Sequence, residues 1–286
     1  MGFIENLDKN KAQKIMLIVI AALVLAALVC LVVIIISSIN PATPQKTDFD
    51  VIDATLTEND TLVGPLVLAD AKHTYTVDRS LLDLVECQTY RNEQMAAAGS
   101  EVKEYLPYKG MMLNKTAMEA AHKMLSDAKK AVGGDAVTID AAFDRVVYSG
   151  SESEEGFKTG LLMFLSDFTS DSGAYVALSD EYASWFKSNC AKYGFINSSD
   201  DAYRYVGKVH AKYITDSEIT LAEYVEYLKK NTDPTKALTI KVDNTEYAVY
   251  YVEGEAGDTV KVPATESYTI SGTNDGGVVV TVKLAK

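Results

Sequence analysis

The chain reads EGFKTGLLMF from Glu155 to Phe164 and SDDAYRYVG from Ser199 to Gly207. These two segments are the most informative for predicting the fold. In the first segment, the run from Gly160 to Leu165 is almost wholly apolar, and the polar stretch Ser166–Gly173 follows it. A short apolar run that ends in a turn is typical of a buried strand. We therefore expect this run to lie in the core.

Helical patterns flank these segments. Lys115–Val132 carries apolar residues at helical spacing, with Asn114 before it as a candidate cap and Gly133 after it as a stop signal. Further along, Thr220 and Glu223 have the spacing of a capping box, which predicts the start of another helix. Strands and helices mixed in this order predict a compact α+β core domain.

Beyond Pro234 the pattern changes to alternating apolar and polar residues, which is typical of half-buried strands. Turn residues separate the runs, for example Asp243 with Asn244 and the segment Asn274–Gly277. The pattern predicts a small all-β, sandwich-like module at residues 234–286. Because no cluster of reactive side chains lies in it, we expect a spacer or binding appendage.

The N-terminal region contains an uncharged apolar run from Ile15 to Ile36. At 1.5 Å per residue, a helix of this length crosses roughly 30 Å of hydrocarbon. Three lysines before the run favour a cytoplasmic N-terminus, and two prolines after it suit an extended tether. The sequence thus predicts a single-pass membrane protein with cytoplasmic residues 1–14, a transmembrane helix at 15–38, an extracytoplasmic linker at 39–61, a core domain at 62–232 and the β module at 234–286.

The formal net charge of −13 bears on the partners of the protein. A surface of this sign repels nucleic acid and shows no basic stripe, so we expect no nucleic-acid partner. Outside the apolar run only Cys87 and Cys190 remain, and the sequence leaves open whether they form a disulfide. The three histidines are far apart, which argues against a short zinc-binding motif.

Residues 62–232 resemble the VanY-type D-alanyl-D-alanine carboxypeptidases, zinc enzymes of the peptidase M15 family that trim stem peptides of the bacterial cell wall. Leu113–Ala128 is similar to the first long helix of that family, and Trp185–Ile196 to the helix that leads into its Tyr-Gly-Phe segment. Tyr203–Gly207 and His210–Tyr224 are similar to its last strand and helix. The resemblance implies a VanY/hedgehog-like peptidase core in a bacterial cell envelope.

In active members, a Ser-x-His-x-x-Gly-x-x-x-Asp segment supplies two zinc ligands. Aligned with it, Glu155–Phe164 retains the pair Thr159 and Gly160 but places Phe157 at the histidine position and Phe164 at the aspartate position. The resemblance therefore implies that two metal ligands are replaced by phenyl rings.

A Glu-x-x-His segment supplies the general base and the third zinc ligand in active members. Here Ser199 occupies the base position and Ala202 the ligand position. The segment that helps to bind the substrate carboxylate in the family aligns loosely with Ala141–Arg145, where Asp144 takes the arginine position and Arg145 lies one place further. Carboxylate recognition of the family's kind is therefore in doubt.

Catalytic zinc needs lone-pair donors at about 2 Å, and neither a phenyl ring nor a methyl group is one. Without zinc and a carboxylate base, no water is activated for attack on an amide. We therefore expect no zinc or other cofactor, no catalytic residues and a pocket filled by hydrocarbon. A repurposed groove is the alternative, and its candidate residues are Thr159, Gly160, Tyr203, Arg204 and Tyr205.

Three hypotheses about function follow from this resemblance. The first is a catalytically inactive pseudoenzyme that binds peptidoglycan stem peptides or an envelope protein, or acts as a scaffold. The second is an active zinc D,D-carboxypeptidase whose metal ligands lie elsewhere in the chain. The third is a module for protein adhesion or assembly.

An acidic loop that includes Glu152 is interpreted as a solvated loop.

Overall fold

A computed structural model describes residues 42–146, 152–168, 176–265 and 267–285 of the protein. Residues 42–286 form one compact unit. Across the described ranges, no helix is long and apolar enough to cross a bilayer. The cytoplasmic segment expected at 1–14 and the transmembrane helix expected at 15–38 lie outside the described residues, and the extracytoplasmic location stays a prediction.

The described chain alternates short strands and helices. The helices are α1 (Glu58–Leu62), α2 (Cys87–Ala97), α3 (Lys115–Val132), α4 (Glu154–Phe157), α5 (Asp180–Asn189), α6 (Lys208–Asp216) and α7 (Leu221–Asn231), with 3-10 turns at Arg79–Leu81 and Cys190–Tyr193. The strands are β1 (Gln45–Lys46), β2 (Val51–Thr55), β3 (Leu84–Glu86), β4 (Tyr105–Pro107), β5 (Met112–Asn114), β6 (Val137–Ala142), β7 (Arg145–Val146), β8 (Leu162–Asp167), β9 (Phe195–Ser199), β10 (Ala202–Tyr205), β11 (Lys236–Val242), β12 (Thr245–Glu253), β13 (Thr259–Pro263), β14 (Ser267–Gly272) and β15 (Gly277–Lys283).

The larger sheet has the strand order β4-β6-β8-β10-β9, with β7 paired to β6. Its strands pair antiparallel except for β4 with β6. The main hydrophobic core joins this sheet to α3 and α5 through side chains such as Met124, Phe186 and Tyr203. The α+β class expected from the sequence is therefore confirmed, and the apolar run Gly160–Leu165 supplies most of the buried strand β8.

The helix boundaries follow from capping chemistry, as predicted. The Asn114 side chain accepts hydrogen bonds from the N–H groups of Thr116 and Ala117 at 3.0 and 3.4 Å. At the other end of α3, Gly133 adopts a φ of 81°, which is unfavourable for a residue with a β-carbon. Thr220 and Glu223 form the predicted capping box at the start of α7.

The C-terminal strands form a second sheet with the order β1-β11-β12-β15-β14. The alternation beyond Pro234 is therefore confirmed as strands. One face of this sheet packs against α6 and α7, where Tyr224, Leu238 and Val249 belong to a single buried cluster. The smaller pair β2–β13 covers part of the other face through a cluster that contains Val260 and Val278.

Residues 42–61 differ from the linker expected at 39–61. β1 pairs with β11, and β2 pairs with β13 along its whole length. α1 begins with its own capping box, formed by Thr57 and Asp60. Because Pro44 precedes β1 and does not interrupt it, the proline does not prevent pairing. Residues 42–61 therefore contribute two strands that pair with strands of the C-terminal region.

Two local features complete the comparison with the sequence. The buried apolar run Leu66–Leu68 forms no strand and is held by single hydrogen bonds, such as Leu68 N–H to the Thr273 carbonyl at 2.8 Å. Cys87 and Cys190 are both buried in the main core as free thiols. Burial raises the pKa of the Cys87 thiol to about 12 and that of Cys190 to about 11.

Candidate functional site

Three of the four positions identified from the sequence meet in one hydrocarbon cluster. Ala202 on β10 lies directly opposite Phe164 on β8 in the antiparallel register. Phe157, the last residue of α4, joins them, and Ala141 and Leu162 complete the cluster. The exposed fraction of Phe157 is 3%, and Phe164 and Ala202 are fully buried. The structure therefore brings these positions together, as the alignment required.

Ser199, the fourth position, lies beside this cluster on β9. It pairs with Ala202 across the β9–β10 turn, where the register shifts. Its hydroxyl donates a hydrogen bond to Glu152 Oε1 at 2.6 Å, and the Ser198 hydroxyl donates to the same oxygen at 2.7 Å. The neighbouring Asn197 amide donates to the backbone carbonyl of Ala202 at 3.2 Å. A carboxylate thus lies close to the former base position, but it comes from another segment.

The residues at these positions do not fit a zinc ion. The cluster offers only carbon atoms, whereas zinc binds the thiolate, imidazole or carboxylate groups of side chains. Throughout the ranges 42–146, 152–168, 176–265 and 267–285, no group of three or more His, Cys, Asp or Glu residues is gathered in a way that could hold a metal. The cluster can fill space and stabilise the sheet, and its side chains have no lone-pair donor with which to coordinate a zinc ion.

Arg204 is the most unusual polar group near the cluster. It follows Ala202 on the same face of β10, and its exposed fraction is only 5%. Its Nη1 donates to Thr159 Oγ1 at 3.0 Å, and its Nη2 donates to the Val67 carbonyl at 2.7 Å. Burial lowers the pKa of Arg204 to about 10, partly offset by Tyr75 and by Glu152. Among the described residues, its Nε has no hydrogen-bond acceptor.

A groove of about 350 Å³ runs beside Arg204. Its polar lining includes Asp70, Glu152 and Asn197, and α6 and α7 contribute to its apolar wall. Burial raises the pKa of Asp70, but hydrogen bonds from Lys72 and His73 outweigh it and hold that pKa below its usual value. The groove therefore combines a cation and two carboxylates with an apolar wall lined by Leu68, Ile196, Ile214, Ile219 and Leu221.

The residues expected to form a remnant groove do not share one surface. Only Arg204 lines the groove described above. Tyr203 points into the main core, and Thr159 and Tyr205 line a different cavity. Gly160 has a φ of 69°, and a β-carbon there would come within 2.6 Å of Leu84 Cδ2, so this glycine serves the turn before β8. The alternation of side chains along β10 separates these residues.

The segment aligned with the family's carboxylate-binding arginine is occupied by other contacts. Asp144, at a φ of 67°, forms an ion pair with Arg79. The Arg79 guanidinium also lies over the ring of Phe143, 5.1 Å from its centroid. Arg145 donates to the Lys109 carbonyl at 2.6 Å. Both arginines are therefore engaged with the protein itself.

Sequence reasoning missed Glu152 as a member of the site. The residue belongs to an acidic loop that was interpreted as solvated, yet its carboxylate accepts two serine hydroxyls and lines the groove. The contact joins residues that are far apart in sequence, so no local pattern reports it. The one available signal is the run of two serines, Ser198 and Ser199, at the former base position.

The fold and the site can now be compared with known proteins. No family model matches the chain. A curated D-alanyl-D-alanine carboxypeptidase of Enterococcus faecium is 25% identical over 263 residues, which cover 85% of this chain and 82% of the relative. The vancomycin-resistance D,D-dipeptidase VanXYg, crystallised with a D-Ala-D-Ala phosphinate analogue, overlays with a TM-score of 0.59 at 17% identity and covers 83% of this chain and 100% of its own.

A third protein, VanYB in complex with D-alanine-D-alanine, overlays with a TM-score of 0.40 at 14% identity and covers 57% of this chain and 97% of its own. The carboxypeptidase relative matches most of both chains, and VanXYg shares the fold. The order of the helix, Tyr-Gly-Phe and Tyr-Arg-Tyr-Val-Gly segments agrees with the same assignment. The chain therefore resembles the VanY-like D-alanyl-D-alanine carboxypeptidases in sequence and in fold.

Proposed function

We propose that this protein is a membrane-anchored, extracytoplasmic pseudoenzyme that binds peptidoglycan stem peptides without hydrolysing them. The observation that carries the proposal is the hydrocarbon cluster of Phe157, Phe164 and Ala202 at the positions where active relatives hold zinc. The uncharged run Ile15–Ile36 supports the membrane anchor. A family member in the cell envelope that cannot polarise an amide can still recognise one.

The groove beside Arg204 is the proposed binding surface. Its volume of about 350 Å³ suits the end of a peptide, and ligand pockets generally combine apolar walls with a few placed polar groups. Asp70 and Glu152 offer acceptors for peptide N–H groups, and the side-chain carbonyl of Asn197 offers a further acceptor. The apolar wall contributed by α6 and α7 can contact the methyl groups of alanine residues.

The experiment combines binding with turnover. A synthetic stem pentapeptide that ends in D-Ala-D-Ala is titrated into the purified full-length chain, and free D-alanine is assayed in the same samples with added zinc. We expect saturable binding without release of D-alanine. Catalytic release of D-alanine would overturn the proposal and favour an active carboxypeptidase whose metal ligands lie elsewhere in the chain.

A groove variant and a matched control locate the binding. Ala222 lies on α7 and lines the groove, so Ala222→Phe fills it, and binding should weaken by about tenfold or more. Ala96 is exposed on α2 and lines none of the cavities described, so Ala96→Phe should leave binding unchanged. If neither variant changes pentapeptide binding, the groove is not the site. If the wild-type chain binds neither the pentapeptide nor purified sacculi, an adhesion or assembly role is favoured.

A further inference from the structure

The protein has a second cavity, with a volume of about 490 Å³, besides the groove next to Arg204. It is bounded by β14 and β15 of the C-terminal sheet, by Val63–Pro65, by the turn before β8 and by the start of α6. Tyr205 lines it, whereas its neighbour Arg204 lines the groove of the proposed function. The two cavities share no lining residue.

The charges around this cavity differ from those of the whole chain. Lys208 and Lys283 line it, and none of its lining residues is Asp or Glu, although the chain as a whole carries a net charge of −13. Both lysines are exposed, and neither forms an ion pair within the described residues. A local positive potential on an acidic protein selects an anionic ligand.

The start of α6 adds to this potential. The cap residue Gly207 has no side chain to accept from the first N–H groups of the helix, and residues 207–210 all line the cavity. Unsatisfied N–H groups and the helix dipole place partial positive charge at this end. His210 itself adds no charge near neutral pH, because burial lowers its pKa to about 3.

The backbone of β14 supplies the third observation. β14 is an edge strand of the five-stranded sheet, and Ser267–Thr269 are exposed. At its far end the edge is covered, since Gly272 N–H donates to the Val63 carbonyl at 2.9 Å. Ser267–Ile270 of this strand line the cavity, and exposed strand edges can pair with an extended chain. Tyrosines close the cavity on several sides: Tyr75, Tyr205, Tyr247 and Tyr268.

We propose that this cavity is a second binding site, for an extended peptide segment that carries a carboxylate. The peptide backbone pairs with the free edge of β14, apolar side chains pack against the tyrosines, and the carboxylate binds towards Lys208, Lys283 and the start of α6. A free anion would use the charge but not the edge strand, and an uncharged peptide would use the edge strand but not the charge. An acidic peptide is the ligand class that uses both.

The first test uses two matched peptides. The probe is the pentapeptide Thr-Val-Thr-Val-Glu with an amidated C-terminus and an uncharged fluorophore, and its control replaces Glu with Gln. Fluorescence anisotropy is measured with the purified full-length chain at low and high salt. We expect the Glu peptide to bind more tightly by about fivefold or more, with the difference reduced by salt. Equal binding of both peptides would overturn the proposal.

Two variants locate the charge. Lys208→Glu and Lys283→Glu should each weaken the Glu peptide by about fivefold or more and should leave the Gln peptide nearly unchanged. Lys187 is exposed on α5 and lines none of the cavities described, so Lys187→Glu carries the same change of net charge and should have no comparable effect. If all three variants weaken binding equally, only the net charge matters and the site is refuted.

N-methylated peptides test the edge strand without altering the protein. In a paired strand, alternate N–H groups face the neighbouring strand, so methylation of one alternate set should abolish binding while methylation of the other should not. Equal tolerance of both sets would contradict pairing with β14. The variant Ala222→Phe fills only the first groove, so this probe should still bind to it, and failure of one site is thereby distinguished from failure of the other.

Discussion

The groove that Arg204 lines and the cavity that Tyr205 lines differ in the charges that surround them. The groove beside Arg204 lies against a hydrocarbon cluster and mixes one arginine with two carboxylates, whereas the cavity at β14 has two lysines and no acid. The first is lined by residues of the larger sheet and of α6 and α7, and the second by residues of β14 and β15 together with the start of α6. The hydrocarbon cluster and the lysine-lined cavity are therefore separate features of this chain.

The largest effect should come from returning a charge to the hydrocarbon cluster. Phe164 is fully buried on β8, so Phe164→Asp places a carboxylate among carbon atoms and should lower the free energy of unfolding by about 4 kcal/mol or more. Phe164→Leu, which only shortens the side chain, should cost about 1 kcal/mol. Urea denaturation measures both. Equal costs for the two variants would show that a carboxylate is tolerated there and would weaken the contrast between the two cavities.

Arg204 sharpens the comparison because its guanidinium joins the two sides. Arg204 lines the groove, and its guanidinium donates a hydrogen bond to Thr159, which lines the cavity beside β14. Arg204→Met leaves the Val67 carbonyl and the Thr159 hydroxyl without this donor and should lower the free energy of unfolding by about 2–3 kcal/mol. Arg204→Lys keeps the charge and should recover part of the loss. A neutral effect of Arg204→Met would mean that these hydrogen bonds do not stabilise the fold.

His210, which lines the cavity beside β14, makes the free energy of unfolding depend on pH. Its pKa falls from 6.5 to about 3 on burial, so between these values the unfolded chain binds a proton that the folded chain does not. Stability is therefore fully present above pH 6.5 and falls as the pH falls, by up to about 1.4 kcal/mol per pH unit from this group. Denaturation at pH 7, 6 and 5 measures the slope.

The variant His210→Gln keeps hydrogen-bonding capacity towards Tyr224 and Thr281 and should flatten this slope. His122 also has a pKa lowered by burial, but it is only partly enclosed, so His122→Gln should change the slope less. An unchanged slope in His210→Gln would assign the pH dependence to other groups.

The smallest effect concerns the wall of the groove. Thr220 lines it and caps α7 through a hydrogen bond from Glu223 N–H at 3.2 Å, so Thr220→Ala should lower the free energy of unfolding by about 1 kcal/mol. Thr57 forms the same motif at the short helix α1, away from the groove, and serves as the control. Both variants should lose stability, but only Thr220→Ala should also weaken pentapeptide binding. A loss of binding in both would point to a global effect.

Features that depend on neighbouring residues could be predicted from the sequence. The bounds of α3, with Asn114 and Gly133 at its ends, and the capping box at Thr220 follow from local chemistry. The alignment named Phe157, Phe164 and Ala202 as corresponding positions, and these residues lie in one cluster.

Features that depend on distant contacts could not be predicted. Glu152 reaches Ser199 across the fold, and β1 and β2 find their partners near the other end of the chain. Thr159 and Tyr205 line one cavity and Arg204 lines the other, so the residues of the expected groove do not share one surface. The strand pairing of residues 42–61 was hidden by short length, since two to five residues carry little periodic signal.

The most direct test of the central claim is the zinc content of the purified full-length chain after equilibrium dialysis against zinc at neutral pH. The variant that combines Phe157→His, Phe164→Asp and Ala202→His restores three donors and serves as the comparison. The hydrocarbon cluster predicts that the wild-type chain retains no stoichiometric zinc, because carbon atoms offer no lone pairs. One tightly held zinc ion per wild-type chain would contradict the account.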